Sequence, residues 1–341
     1  MTVDALIASR TRRLRRRATV SVALAVSLVL VVAISLMVGN TFYPLTDVIR
    51  VILGQDVPGA SFTVGELRLP RVTLAVLVGV SFGIAGVTFQ TMLRNPLASP
   101  DIIGIDSGAT VAAVTGIVIF SLTETAVSIL ALVSAVLIAA AIFALAGRHT
   151  FANTRLILIG IGVAAMLDAV TAYILSQARD WDIQQAMQWL TGSLNGASWS
   201  AVIPVAIACG VLVPLMLTKS RELSVLRMGD DSAAALGIRV RTTRMILLLG
   251  AVALLAFATA ACGPIAFVAF MAGPIAGRIV GTGASLIVPS ALVGALLVLV
   301  ADFIGQNAFE SRYPVGVVTG VLGAPFLIYL LIRTQRSGGS L

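Results

Sequence analysis

Long uncharged apolar stretches alternate with short polar ones along almost the whole chain. The clearest is Val72–Leu93, which has 22 residues and no charge. A helix of that length crosses a hydrocarbon core of ~30 Å at ~1.5 Å per residue. Arg68-Leu69-Pro70-Arg71 precedes it, and Arg94-Asn95-Pro96-Leu97 closes it, with proline stopping or bending the helix. Gly79, Gly83 and Gly86 fall on roughly one helical face, so a second helix can approach closely there. Comparable runs are Ala18–Asn40, Ile102–Phe120, Ala126–Ala146, Leu156–Leu175, Ser198–Leu217, Met245–Cys262, Leu286–Gly305 and Pro314–Ile332. Gly263–Ile279 is a tenth run, interrupted at Pro264, Gly273 and Pro274, and either spans or re-enters. Gln177–Ala197, with Trp181 and Trp189, predicts a short interfacial helix with aromatic anchors.

Composition agrees with this pattern. Only 11% of the 341 residues are charged and 58% are hydrophobic, against about 25% charged in soluble domains. The expected fold class is an all-α polytopic membrane protein of about ten transmembrane helices. Residues 1–17 form a basic segment, 18–333 the membrane domain, and 334–341 a polar tail. The formal charge of +8 points to sidedness rather than to nucleic acid. Eighteen of the 23 basic residues lie on the side of the N-terminus, and five (Arg50, Arg68, Arg71, Arg179, Arg312) on the other. This asymmetry predicts a multi-pass protein of the bacterial cytoplasmic membrane with both termini in the cytoplasm. Ala18–Asn40 is too long for a signal-peptide core, so it reads as an uncleaved first helix.

Reactive chemistry is sparse. Cys209 and Cys262 lie in apolar runs and give no disulfide framework or metal spacing, and the single histidine, His149, sits in a polar turn. The one lysine, Lys219, belongs to no phosphate-binding loop, so this chain is expected to bind neither nucleotide nor metal. Asp168 and Asp302 fall inside spans, where a carboxylate either ties two helices together or serves ion coupling. The longest polar segment on the N-terminal side is Lys219–Arg244. Within it, Gly229–Gly237 reads as a short helix that Asp230 or Asp231 caps and Gly237 stops. Such a helix is either an ordinary surface element or an insert for a groove on another protein. Arg68, Arg71 and Arg312 form either a positive rim for an acidic partner or a set of snorkelling side chains.

Several motifs carry a resemblance: RLPRVTLAVLVG, then GVTFQTMLRNPLASPDIIGIDSGA, GPIAFVAF, and YPVGVVTGVLGAPFLIYLL. Over about residues 20–333 the chain resembles the iron-siderophore and vitamin B12 permease family of ABC importers, a type II importer architecture. TRLILIGIGVAAML and MGDDSAAALG are similar to the ferric-enterobactin subgroup, whose members work beside a second, homologous permease chain. The resemblance implies a heterodimeric pathway, two ATPase subunits that carry the ATP and magnesium, and an extracytoplasmic siderophore-binding protein. It implies binding-protein docking at Arg68 and Arg71, with Arg312 in place of a third arginine that relatives carry near Gln306. It implies ATPase coupling through Gly229, Asp230, Asp231, Ala233, Leu236 and Gly237, and a cytoplasmic gate at Asn95, Leu97, Asn153 and Thr154. Ser81, Thr88 and Gln90 are the candidates for the pathway lining. Many members carry Pro-His where this chain has Gly273-Pro274, so no role for that histidine transfers. Haem or cobalamin as cargo, or an ATPase-independent carrier, are the alternative readings.

Overall fold

The computed structural model describes residues 3–100, 104–146, 154–281 and 285–336. In chain order the long helices are α1 (Val3–Met37), α3 (Leu69–Met92), α5 (Glu124–Ala146), α6 (Thr154–Ser176), α8 (Trp199–Thr218), α11 (Val240–Cys262), α13 (Ile287–Asn307) and α14 (Val315–Arg336). Between them lie α2 (Leu45–Ile52), α4 (Ile105–Val118), α7 (Asp180–Leu190), α9 (Ser220–Leu226), α10 (Asp230–Ala235) and α12 (Val268–Val280). Among the described residues eight helices are long and apolar enough to cross a membrane, and α4 and α12 are shorter apolar helices. The two short ones stand where the sequence predicts a crossing, at α4, and a segment that either spans or re-enters, at α12. At 13 residues, α12 rises only about 20 Å. It starts after Gly263, at φ 75°, where no helix can continue smoothly. Its segment nonetheless passes from one end of the molecule to the other. Cys262 accepts a hydrogen bond from Ser193 N at the α7 end (2.7 Å), and Ile279 O accepts one from Arg16 at the arginine-rich end (3.1 Å).

The core is built around α3. In its most apolar window 78% of residues are buried, against 6% in α1. Pro70 stands where a π-helical stretch, Ser61–Arg68, gives way to α3, so its missing N–H falls at the change from π- to α-helical pairing. The helix stops at Leu93 because Arg94 turns left-handed (φ 49°) ahead of Asn95-Pro96. Its glycine face works as the spacing predicts. A Cβ on Gly79 or Gly83 would strike the backbone of α13 at Gly294–Ala295 or Ser290, and one on Gly86 would strike the Ala269 carbonyl of α12. Without a hydrophobic force between helices in lipid, such close backbone approach is what holds the bundle. The outer faces of α1, α5, α6 and α8 expose Val22, Leu30, Leu137, Leu158 and Ile207, a surface suited to lipid or to a partner helix rather than to water.

Candidate coupling and translocation site

At the arginine-rich end, α9 and α10 form an elbow beneath the bundle. Leu223 and Leu226 of α9 and Ala233 of α10 are buried, which fastens the elbow to the core. Glu222 accepts hydrogen bonds from Lys219 Nζ (2.7 Å) and from the Thr243 hydroxyl of α11. The Lys219 hydrogen bond, then that from Thr243, hold the Glu222 carboxyl below its ordinary range. A lowered folded value contributes stability above the ordinary glutamate range, lost only as pH falls through the folded value, so the elbow stays fastened at neutral pH.

Gly229 (φ 114°) and Gly237 (φ 82°) bracket α10 in backbone conformations that suit glycine. The outward face between them is small and apolar. Met228 and Leu236 are exposed (68% and 64%), and Asp231, Ala234 and Ala235 lie open beside them. Asp230 does not cap the helix as the spacing suggests. Its carboxylate turns back to the body, where Arg244 Nη1 and Nη2 donate to it at 2.7 and 2.6 Å and Arg94 Nη2 donates at 2.8 Å. Two guanidinium groups draw the carboxylate away from the orphan N–H groups of so short a helix.

Arg94 leads directly into the expected gate turn. The Asn95 side chain accepts from Leu97 N (2.9 Å), an Asx turn that fixes the Asn-Pro-Leu bend. Leu97 packs against the cluster of Phe270, Met271 and Leu330. Asn153 lies outside the described residues, and Thr154 is described only as the first residue of α6.

A cavity of about 460 Å³ opens above this turn, between α4, α6, α12 and α14. Leu97, Ser99, Asp106, Ser107, Thr110, Asp168, Phe267, Phe270 and Leu327 line it. Asp106 accepts from the Thr259 hydroxyl (2.9 Å), and Asp168 is exposed on α6. An exposed carboxylate within a span cannot face lipid at low cost, so this wall faces water or another chain. The signal in the sequence is two carboxylates in otherwise apolar segments, of which only Asp168 stands out without the fold.

Ser81, Thr88 and Gln90, expected in the lining, are instead buried between α3 and its neighbours. The Ser81 hydroxyl donates to Leu77 O (2.8 Å) and lies 3.2 Å from Cys209 Sγ. Thr88 donates to Ile84 O (2.7 Å), and Gln90 Nε2 to Phe270 O (2.9 Å). The reason is the centrality of α3: every face meets another segment, so the two hydroxyls bond back to their own helix and Gln90 reaches across to α12.

The opposite end holds the three outer arginines. Arg68 donates to Leu36 O (2.8 Å), Met37 O (2.9 Å) and Thr41 O (2.6 Å), so it ties the last carbonyls of α1 to the loop that follows, sharing Met37 O with Tyr43 N. Arg71 forms a two-pronged ion pair with Asp302 of α13 at 2.8 and 2.7 Å. Arg312 is exposed and donates to the Asn40 side chain (3.1 Å). Asp302 therefore ties two helices, the structural one of its two sequence readings.

The model of the FecCD transport family matches residues 27–333. The chain belongs to the FecCD transport family. It is 40% identical over 292 residues to the ferric enterobactin transport system permease protein FepG of Escherichia coli (strain K12), covering 85% of this chain and 88% of that one. It is 39% identical to the achromobactin transport system permease protein CbrC of Dickeya dadantii (strain 3937), covering 89% and 88%. A solved metal-chelate type ABC transporter in an inward-facing conformation has the same fold, with TM-score 0.82 and 23% identity over 93% of this chain and 99% of that one. This FecCD chain is thus a multi-pass permease subunit of an ABC importer and not itself an enzyme, because ATP hydrolysis belongs to a separate subunit. An ATPase and a substrate-binding protein complete such importers.

Proposed function

We propose that this permease forms one half of the pathway for a ferric siderophore and pairs with a second, homologous permease chain. The observation that carries the cargo reading is that its relatives FepG and CbrC, alike over most of their length, are named for enterobactin and achromobactin transport. The cavity beside Asp168, open on one side of a single chain, suits a passage that a second permease closes. The arginine-rich end faces the cytoplasm and places the outward side of α10 against an ATPase groove. Of the outer arginines, Arg312 is the most available for a binding protein, while Arg68 and Arg71 would have to leave partners in their own chain.

Reconstitution with its companion permease, ATPase and binding protein tests this reading. ATP-dependent accumulation of siderophore-bound iron in proteoliposomes is the expected result. Accumulation without the ATPase, or of cobalamin or haem in place of chelated iron, would overturn it.

Gly237→Arg is expected to release the ATPase. No atom of the described residues lies within 4 Å of a Cβ added at this position. The new side chain would, however, strain a left-handed position and place a charge on the small apolar face of α10. Co-purification of the ATPase at wild-type yield would refute the assignment of this face.

A further inference from the structure

The covalent path from α10 to the Asn95–Leu97 turn runs through six helices, α4 to α9, yet α10 and the residue before that turn touch directly. Arg94 Nη2 donates to Asp230 Oδ1 (2.8 Å) across 136 positions of sequence. The same oxygen receives Arg244 Nη2, and Oδ2 receives Arg244 Nη1, so Asp230 is seated on the base of α11 whether or not Arg94 is present. Arg94 is about half exposed and stands one residue beyond the C-cap of α3, tied to that helix by its backbone N–H to Thr91 O (3.3 Å) while its side chain is left to reach α10. Its left-handed backbone (φ 49°), rare for a residue with a long side chain, aims the guanidinium at α10 rather than along the helix. The next residue, Asn95, holds the turn by its side chain, and Leu97, two further on, lines the cavity.

We propose that Arg94 is a positioning residue that passes displacement of α10 to the Asn95–Leu97 turn and so to the floor of the cavity. This rests on the importer reading above. A push on the outward face of α10 moves Asp230, and Asp230 divides the motion between two guanidinium groups. Through Arg244 it reaches the start of α11, which is already anchored in the core. Through Arg94 it reaches a short turn outside the helices, held by the Leu97 N–Asn95 side-chain bond (2.9 Å) and by backbone bonds from Asn95 N to Gln90 O (3.1 Å) and from Ala98 N to Asn95 O (3.0 Å), a smaller load than a whole helix. The carboxylate thus acts as a pivot on α11 and Arg94 as the arm. The sequence does not show this, since Arg94 reads there as one more basic residue of the positive-inside set.

The test uses the assembled importer, with companion permease, ATPase and binding protein, in proteoliposomes. Arg94→Gln is expected to lower siderophore-iron uptake about tenfold, a typical coupling between sites. ATP hydrolysis stimulated by the binding protein should stay within about twofold of wild type, so that transport per ATP falls. Arg94→Lys, which keeps the charge, is expected to recover most of the uptake. Asp230→Asn combined with Arg94→Gln should lose no more than Asp230→Asn alone, because Asp230→Asn weakens the contact that Arg94→Gln removes as well as those with Arg244. Uptake and hydrolysis falling in parallel would overturn the proposal, as would wild-type transport per ATP in Arg94→Gln. A second readout is independent of cargo. Spin labels at Leu97→Cys and Leu236→Cys should keep one separation across nucleotide states with Arg94 present, and lose that fixed relation in Arg94→Gln. Wild-type protein that keeps the fixed relation but takes up no chelated iron would remove the cargo reading and leave this link standing.

Discussion

Gly86→Val is expected to prevent assembly of the bundle. A Cβ at this position would collide with the carbonyl carbon and oxygen and the Cα of Ala269, all backbone atoms of α12. A clash with the end of a flexible side chain relaxes by rotation, whereas one with backbone must move a helix. Moving α12 off α3 also breaks the Gln90–Phe270 hydrogen bond (2.9 Å), since Phe270 is the residue after Ala269. The cost is expected at roughly 3 kcal/mol or more, the upper part of the range for overpacked cores. Gly210→Val is the control: it lies in α8 with nothing within 4 Å of the added Cβ and no left-handed backbone. Monodisperse yield in detergent and the thermal midpoint read the difference. A Gly86→Val protein as soluble and heat-stable as Gly210→Val would show that α3 and α12 do not meet as described.

That glycine face also shows how far the sequence reaches. Gly79, Gly83 and Gly86 announce close approach because residues four and three apart share a face, a property of one helix alone. They cannot say which helix arrives, and in fact two do: α13 meets Gly79 and Gly83, and α12 meets Gly86. The same limit explains the lining residues. Ser81 and Thr88 are polar positions on an apolar helix, and hydrophobic patterning gives an outer helix and a central one the same signature. Only the packing shows that α3 has no open face and that each hydroxyl bonds back to its own helix. The order of spans and the interfacial helix α7 were legible because they depend on local length, charge and aromatic anchors. The shortness of α12 was not, because apolar lead-in residues such as the buried Ile265 and the half-buried Phe267 lie outside helical conformation and extend the hydrophobic run beyond the helix. Asp230 illustrates a third limit. Its place at a helix start argues for capping, and of the two arginines that claim it instead one lies 14 positions on, in the next helix, and the other 136 positions back.

Asp302→Ala is expected to destabilise the permease more than any other single change at its outer end. The Arg71 guanidinium would stay where it is, 20% exposed, between α3 and α13, with its only carboxylate gone. Removing one partner of a buried pair costs about 3–5 kcal/mol, because the remaining charge is desolvated without compensation. Arg71 also cannot snorkel freely, since Arg68 one turn earlier already occupies the carbonyls at the end of α1. The expected order of thermal midpoints is therefore wild type above Asp302→Asn, with Asp302→Ala lowest. The double change Arg71→Met with Asp302→Leu removes both charges at similar volume and is expected to recover most of the loss. The loss in Asp302→Ala, reversed in the double variant, separates a helix tie from a docking charge. If Arg71 served mainly to meet a binding protein, the double variant would be as stable as wild type yet bind that protein weakly, and Asp302→Ala alone would leave stability untouched. Thermal midpoints and binding-protein affinity measured on the same preparations decide between the two, and a stable Asp302→Ala would remove the pair from the account of what holds α3 to α13.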